Sequence, residues 1–104
     1  MEDSIRMTYP TALVILALDH NYRYGFDIAD ATGLRGGTVY PILRRLEAMK
    51  IVVGDWEDVE VSREQRRPPR RYYRLLDSAR PIIAEARVRY PFVPLAGGGT
   101  EAPS

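Results

Sequence analysis

The periodicity of apolar residues changes at Lys50, and this change limits the chain to folds in which a helix runs directly into a β-hairpin. Residues 35–50 repeat at the spacing of an amphipathic helix, whose predicted inward side consists of Val39, Ile42, Leu43, Leu46 and Met49. After Lys50, residues 51–59 alternate as a half-buried strand does, and residues 71–76 repeat the strand pattern. The sequence therefore predicts a helix followed by two antiparallel strands.

The segment between the two predicted strands, residues 60–70, is polar, rich in proline and strongly basic. From position 63 to position 74, six arginines stand against one glutamate, so the local charge is +5. Pro68 and Pro69 favour an extended chain, which lowers the cost of ordering this segment on a partner. We therefore expect an irregular cationic tip on the hairpin, the arrangement known as a wing.

The N-terminal part of the chain predicts a deeply buried first helix. Thr8 or Thr11 can cap it, and residues 12–18 are apolar on all sides, which is typical of a helix surrounded by other elements. A small protomer has little material to cover such a helix. The run of apolar residues therefore favours a dimer contact here.

A short second helix over residues 24–32, ended by Gly33, precedes the long amphipathic helix. Its predicted inward residues are Phe26, Ile28 and Ala29. A short helix, a tight glycine-containing turn and a longer helix together form the helix-turn-helix pattern. Pro41 is harmless in the longer helix only if that helix begins near Gly37 or Thr38.

The C-terminal part predicts one more helix over residues 77–90, which Asp77 or Ser78 can cap. Residues 91–104 have no core-forming pattern and predict a flexible tail. The predicted fold class is α+β, mainly α: a winged helix-turn-helix with three helices, a two-stranded β wing and a C-terminal helix. We expect residues 1–90 to form one DNA-binding domain that dimerises through its first and last helices.

Composition and motifs argue against an enzyme. The chain has no cysteine and a single histidine, His20, so a metal site would depend on carboxylates alone. No serine lies in a nucleophile-elbow motif, and the glycines match no phosphate-binding loop. We therefore predict no catalytic residues, no metal and no cofactor. No stretch is long and apolar enough for a membrane span, and the N-terminus lacks a signal-peptide pattern, so we expect a cytoplasmic protein.

The distribution of charge points to double-stranded DNA, although the net charge is only +1. Nearly all basic residues are arginines, which make planar two-pronged contacts with phosphates and guanine edges. We expect the long helix in the major groove and the wing on phosphates or in the minor groove. The candidate contacts are Tyr24, Arg35, Gly37, Thr38, Tyr40, Pro41, Arg44, Arg45, Arg66, Arg67, Arg70 and Arg71.

Two alternatives stay open at this point. The basic face could bind an acidic protein partner, in which case the chain is a winged-helix interaction module. Trp56, the single tryptophan, could contact a small aromatic effector, although a core residue that anchors the wing is the favoured interpretation. Of Tyr72 and Tyr73, one should face the core and the other the surface.

Several motifs resemble the PadR family of bacterial winged-helix transcription regulators. The chain has Tyr-Gly-Phe-Asp-Ile at 24–28, Gly-Thr-Val-Tyr-Pro at 37–41, Trp-Glu at 56–57 and Pro-Arg-Arg-Tyr-Tyr at 69–73. The resemblance spans roughly residues 8–90. It implies a homodimer on a palindromic operator, usually as a repressor. It also implies that residues 37, 38, 40 and 41 begin the DNA-facing helix and that residues 70 and 71 belong to the wing.

The chain departs from this family in three places. Lys50 stands where the family commonly has glycine, so a left-handed turn there would cost ~1 kcal/mol. Leu76 and Arg80 replace the threonine and the glycine that usually introduce the last helix. The long C-terminal dimerisation domain of some members has no counterpart, so we expect a short form.

Overall fold

Five α-helices and one antiparallel pair of strands make up residues 6–91, the part of the chain that this computed structural model describes. The elements are α1 (Tyr9–Asp19), α2 (Gly25–Thr32), α3 (Gly36–Ala48), β1 (Val52–Trp56), α4 (Val59–Glu64), β2 (Arg71–Leu75), a 3-10 turn (Asp77–Ala79) and α5 (Arg80–Arg89). The predicted mainly helical α+β class is confirmed, with one helix more than expected. The predicted tail beyond Pro91 lies outside the described residues.

Helix α1 runs through the centre of the domain. Thr8 caps it, because the Thr8 hydroxyl oxygen accepts a hydrogen bond from the Thr11 N–H at 3.3 Å. Every residue from Thr11 to Leu18 is buried within this single chain, since α2, α3, α5 and β2 all pack around the helix. The expectation that one protomer could not cover α1 is therefore wrong, and this helix supplies no argument for a dimer.

Helix α3 packs its apolar side against α1 and α2 as the periodicity predicted. Its buried residues are Val39, Ile42, Leu43 and Leu46, whereas Met49 is half-buried. The helix begins at Gly36, earlier than the presence of Pro41 suggested, so the proline lies inside the helix in its second turn. Since proline has no N–H, the Gly37 carbonyl receives no helical hydrogen bond from it.

The end of α3 confirms the expectation for Lys50. This residue has a φ of 62°, the left-handed conformation that helix ends usually give to glycine. The Lys50 N–H donates to the Glu47 carbonyl and the Ile51 N–H donates to the Leu46 carbonyl, which completes a Schellman motif. The Ser78 hydroxyl donates to the Lys50 carbonyl at 2.6 Å and ties this turn to the start of α5.

The hairpin of β1 and β2, which we call the wing (residues 52–75), follows at once. Val52 pairs with Leu75 and Trp56 pairs with Arg71, so both strands are slightly shorter than predicted. A single β-bridge between Tyr24 and Tyr72 joins the segment before α2 to the wing, and the Tyr73 N–H donates to the Arg23 carbonyl at 2.8 Å. This bond attaches the wing to the helix-turn-helix.

The wing tip, residues 57–70, is not irregular as expected, because α4 forms within it. The Asp58 carboxylate accepts from the Glu60 N–H at 3.0 Å and caps this helix. Ser62 is buried beneath the helix and donates to the Val59 carbonyl. The N-terminal cap at Asp58 was the signal for this helix in the sequence, whereas our prediction rested on the polar, proline-rich composition alone.

Candidate nucleic-acid interface

The outward side of α3 presents unpaired arginines to solvent. Arg44 and Arg45 are exposed, and neither forms an ion pair with any residue between positions 6 and 91. The opposite side of the helix is buried, so these guanidinium groups are held on a fixed backbone while their donors stay free. Such a surface can dock into a groove without giving up an internal contact.

The first turns of α2 and α3 approach each other closely through Tyr40. Its ring lies directly over Gly25, where an added Cβ would sit 2.3 Å from the Tyr40 Cε1 atom. The same ring passes Gly36 at ordinary contact distance, and 39% of Tyr40 remains exposed. Tyr40 therefore joins the two helices and still reaches the surface. We had not predicted this role for Gly25, and a glycine beside an aromatic residue was the only signal.

The remaining candidates on the helix-turn-helix surround this contact. Gly37 and Thr38 are exposed, and Pro41 is half-buried. Arg35 is exposed and caps α3 through its backbone, since its carbonyl accepts from the Thr38 and Val39 N–H groups. The structure thus brings the predicted residues of the two helices to one surface.

In the wing, Arg67 does not face solvent as the sequence led us to expect. Its guanidinium makes a two-pronged ion pair with Glu57 at 2.7 and 2.8 Å, and the two side chains are only 17% and 9% exposed. Hydrogen bonding from Arg67 lowers the pKa of Glu57 from 4.5 to about 2, and the pairing raises the pKa of Arg67. Arg67 is therefore an internal support of the wing, and it has little capacity left for a phosphate.

Arg71 is also engaged within the protein. Its guanidinium forms an ion pair with Glu47 of α3 and passes over Gly54, where a Cβ would lie 2.6 Å from the Arg71 Nε atom. It also lies over the rings of Trp56, at 5.5 Å, and Tyr73, at 5.9 Å. Arg71 thus links the wing to the helix that carries Arg44 and Arg45.

Arg70 rests on an exposed aromatic stack. Its guanidinium lies 4.7 Å from the centre of the Phe26 ring, which stacks on Tyr24 with centroids 5.4 Å apart. Phe26 is 45% exposed, so its predicted inward position is wrong: it lies at the start of α2, where the helix faces the wing and not the core. Tyr24 in turn meets the edge of Tyr72. Burial raises the pKa of the neighbouring Asp27, and the charge of Arg70 partly offsets this.

Two aromatic residues of the wing take opposite positions. Tyr73 is buried and Tyr72 is half-buried, as the alternation predicted.

Trp56 is 62% exposed, so the interpretation of Trp56 as a core residue is wrong. It lies at the end of β1, shortly before α4 begins.

The charge of the wing tip is balanced once its acidic half is included. Residues 57–70 contain four arginines and four acidic residues, and three of the acidic ones lie on α4 or cap it. The predicted basic tract is therefore only one edge of the tip. Among its arginines, Arg66 is exposed with a φ of 55° and forms no ion pair with another described residue.

Other kinds of site find little support in the described residues. Across positions 6–91 no group of three or more His, Asp and Glu residues is placed to hold a metal ion. No helix in this range is long and apolar enough to cross a membrane. A cleft of about 330 Å³ lies between the α1–α2 loop and β2, and Trp56 is not among its lining residues.

The fold and these motifs have known counterparts. The sequence model described as "Transcriptional regulator PadR-like family" matches residues 14–84, more than half of the 104 residues. A PadR family transcription regulator from Clostridium difficile R20291 is similar with a TM-score of 0.67 and 22% identity, over 83% of this chain and 91% of that one. One from Eggerthella lenta DSM 2243 has a TM-score of 0.58 and 25% identity, over 77% and 72% of the two chains.

A DNA-bound protein is also similar. A point mutant of MepR from S. aureus, bound to an oligodeoxyribonucleotide, has a TM-score of 0.62 and 22% identity. The match covers 82% of this chain but only 59% of MepR, so this chain spans less than two thirds of that protein. No curated protein matched the chain significantly.

Proposed function

We infer that this chain, which belongs to the PadR-like family of transcriptional regulators, binds double-stranded DNA through α3 and the wing. The family consists of regulators and not of enzymes, which confirms the prediction of a protein without catalytic activity. The observation that carries the proposal is the pair of exposed, unpaired arginines on α3, Arg44 and Arg45, opposite a fully buried side.

We assign the groups on α3 to the major groove. Arg44 and Arg45 would contact guanine edges or phosphates, and Thr38 and Tyr40 would contact the backbone or base edges near the start of the helix. The N–H groups of Gly36 and Gly37 have no helical partner and stand at the positive end of the helix dipole, where a phosphate is favoured.

The wing would contribute contacts from its basic edge. Arg66 and Arg70 keep donors available, so we place them on the phosphates or in the minor groove beside α3. Arg67 and Arg71, also predicted as contacts, act in this proposal by holding the wing in place. Tyr24 and Arg35 would meet the backbone between these two regions.

We further propose a homodimer that represses transcription from a palindromic operator, acting in the cytoplasm, where bacterial DNA lies. A dimer requires a surface other than α1, and α5 offers one: Val88 is 80% exposed, and Ile82 and Ile83 are half-buried on the same helix. A two-fold axis would place two α3 helices on successive major grooves of a palindrome.

A salt titration with duplex DNA tests the proposal. Fluorescence anisotropy with a random duplex at two salt concentrations should give a log Kd that rises with log salt by about 0.9 per phosphate contacted. Binding without this salt dependence, or no binding at all, would contradict the proposal and favour an acidic protein as partner.

Trp56 remains a candidate contact for a small aromatic effector. Because the indole is 62% exposed, a ligand in solution can reach it without a structural change. Quenching of its fluorescence by aromatic compounds, together with a change in DNA affinity at the same concentrations, would support this role. Quenching without any effect on DNA binding would remove the effector from the proposal.

A further inference from the structure

We propose that Glu57 is a positioning residue for DNA binding: its carboxylate holds the wing tip in the shape that presents Arg66 and Arg70 to the duplex. The inference rests on the proposed function. It adds an acidic residue, Glu57, whose carboxylate strengthens the binding of DNA although DNA is itself negatively charged. The expected effect of removing Glu57 is therefore opposite in sign to that of removing an exposed carboxylate that holds no arginine, such as Glu64.

Glu57 joins the two ends of the wing tip. Its Oε1 atom accepts from Arg67 Nη1 at 2.7 Å and from the Arg70 N–H at 3.1 Å, while Oε2 accepts from Arg67 Nη2 at 2.8 Å. The Glu57 N–H also donates to the Arg70 carbonyl at 2.8 Å, which continues the strand pairing beyond Trp56 and Arg71. A single side chain thus fixes both the start and the end of the tip.

Arg67 uses nearly all of its donors within the wing. In addition to Glu57, its Nε donates to the Gln65 Oε1 at 3.0 Å and its Nη1 donates to the Pro68 carbonyl at 3.2 Å. Arg67 thus donates four hydrogen bonds within the wing, and a guanidinium has five N–H donors in all. Arg67 therefore acts through Glu57 and not through direct contact with DNA.

Arg66 and Arg70 lie on either side of the Arg67–Glu57 pair, and backbone hydrogen bonds of Arg67 and Arg70 set their positions. Arg66 adopts its left-handed backbone where the Arg67 N–H donates to the Ser62 carbonyl at 3.1 Å. Arg70 has its backbone N–H on Glu57 and its guanidinium on Phe26. The backbone at Arg66 and both the backbone and the guanidinium of Arg70 are thus held in place before any DNA arrives, which removes part of the entropic cost of binding.

The test compares two carboxylates in the same wing. Glu57→Ala and Glu64→Ala each remove one negative charge, but Glu64 is exposed and holds no other described side chain. Glu57→Ala should raise the Kd for duplex DNA about tenfold, because the opened tip no longer holds Arg66 and Arg70 on the phosphates. Glu64→Ala should lower the Kd by about twofold or less, since only a screened repulsion disappears.

The salt dependence separates positioning from a general loss of stability. At a temperature where both variants are folded, Glu57→Ala should reduce the salt slope by about 1.8, two phosphate contacts at about 0.9 each. Glu64→Ala should leave the slope unchanged. An unchanged slope for Glu57→Ala, or tighter binding as in Glu64→Ala, would overturn the inference.

A double variant tests whether Arg67 acts through Glu57. We expect Arg67→Ala to weaken binding as much as Glu57→Ala, and the double variant to be no weaker than either, because all three lose one shared structure. If the losses multiply in the double variant, Arg67 contacts DNA directly and the inference fails.

Trypsin gives a measurement that needs no DNA. In Glu57→Ala, cleavage after Arg66 and Arg70 should speed up about tenfold relative to the wild type and to Glu64→Ala, because the tip opens more often. Equal rates would overturn the inference even if DNA binding is observed. A wild type that does not bind DNA overturns the proposed function instead, whatever trypsin shows.

Discussion

Helix α3 and the wing carry the same cationic residue and use it in opposite ways. On α3 the apolar side holds the element in the domain, so Arg44 and Arg45 remain free. The base of the wing buries Val52 and Tyr73, but no apolar side chain is buried in its tip, residues 57–70. Arg67 and Arg71 therefore hold the outer part of the wing themselves, through Glu57 and Glu47. A count of arginines therefore overstates the basic surface of an element that lacks a core of its own.

The difference predicts that packing and charge can be perturbed separately. Ion pairs are sensitive to salt and pH, whereas apolar packing responds to lost volume.

Removing a buried side chain of α3 should have the largest effect on the free energy of unfolding. Leu46 is fully buried, so Leu46→Ala should lower the free energy of unfolding by about 2–5 kcal/mol, as lost transfer energy and a cavity add together. Urea denaturation followed by circular dichroism measures this. Val59→Ala on α4 is the control, because Val59 is 51% exposed and lies outside the proposed dimer surface, and an equal loss there would contradict the packing assigned to α3.

Removing a free arginine of α3 should affect binding without affecting stability. Arg44→Gln should cost about 1–3 kcal/mol of DNA binding if Arg44 contacts a base, and the preference at one operator position should relax. Its melting temperature should match that of the wild type, since Arg44 is exposed and forms no ion pair or hydrogen bond with another residue between positions 6 and 91.

The matched control for this variant is Arg80→Gln, which removes an exposed arginine at the start of α5. Selection of bound sites from random duplex DNA, with anisotropy on the selected site, makes the comparison. Equal losses in the two variants would mean that α3 has no special part in recognition.

Breaking the ion pair between the wing and α3 should have a smaller effect, but it should change both the stability and the affinity for DNA. The side chains of Glu47 and Arg71 are about one third exposed, so Glu47→Gln should cost about 0.5–1 kcal/mol of stability. We also expect a modest rise in Kd, because the wing is less firmly oriented relative to Arg44 and Arg45. Thermal melting at low and at high salt tests whether the lost ion pair causes the loss of stability, since an ion pair contributes less to stability at high salt. A loss that persists undiminished at high salt would argue against the ion pair as its cause.

Acid should loosen the wing before it affects the packing of α3. Because the pKa of Glu57 is lowered from 4.5 to about 2 in the folded protein, its stabilising contribution is complete above pH 4.5 and disappears as the pH falls towards 2. Fluorescence of Trp56, the adjacent and single tryptophan, should report this transition. In Glu57→Gln the transition should be missing, and a wild-type profile in that variant would show that another group titrates.

The helical framework and its apolar sides could be predicted from the sequence because they depend on local spacing. The periodicity over 35–50 identified the buried side of α3, and Gly33 and Lys50 ended their helices as expected. The two predicted strands pair antiparallel. The same spacing placed Arg44 and Arg45 on the outer face of α3.

Which group each wing arginine binds was decided only by the tertiary structure. Whether Arg67 faces solvent or Glu57 depends on the hairpin pairing and on α4, which bring together residues that are ten positions apart in the chain. The exposure of Phe26 and Trp56 likewise depends on which neighbours reach them, and the cover of α1 depends on α5, far along the sequence. Local patterns determine which side of an element is apolar, but a charged group's partner is chosen by distance in space, which the sequence does not state.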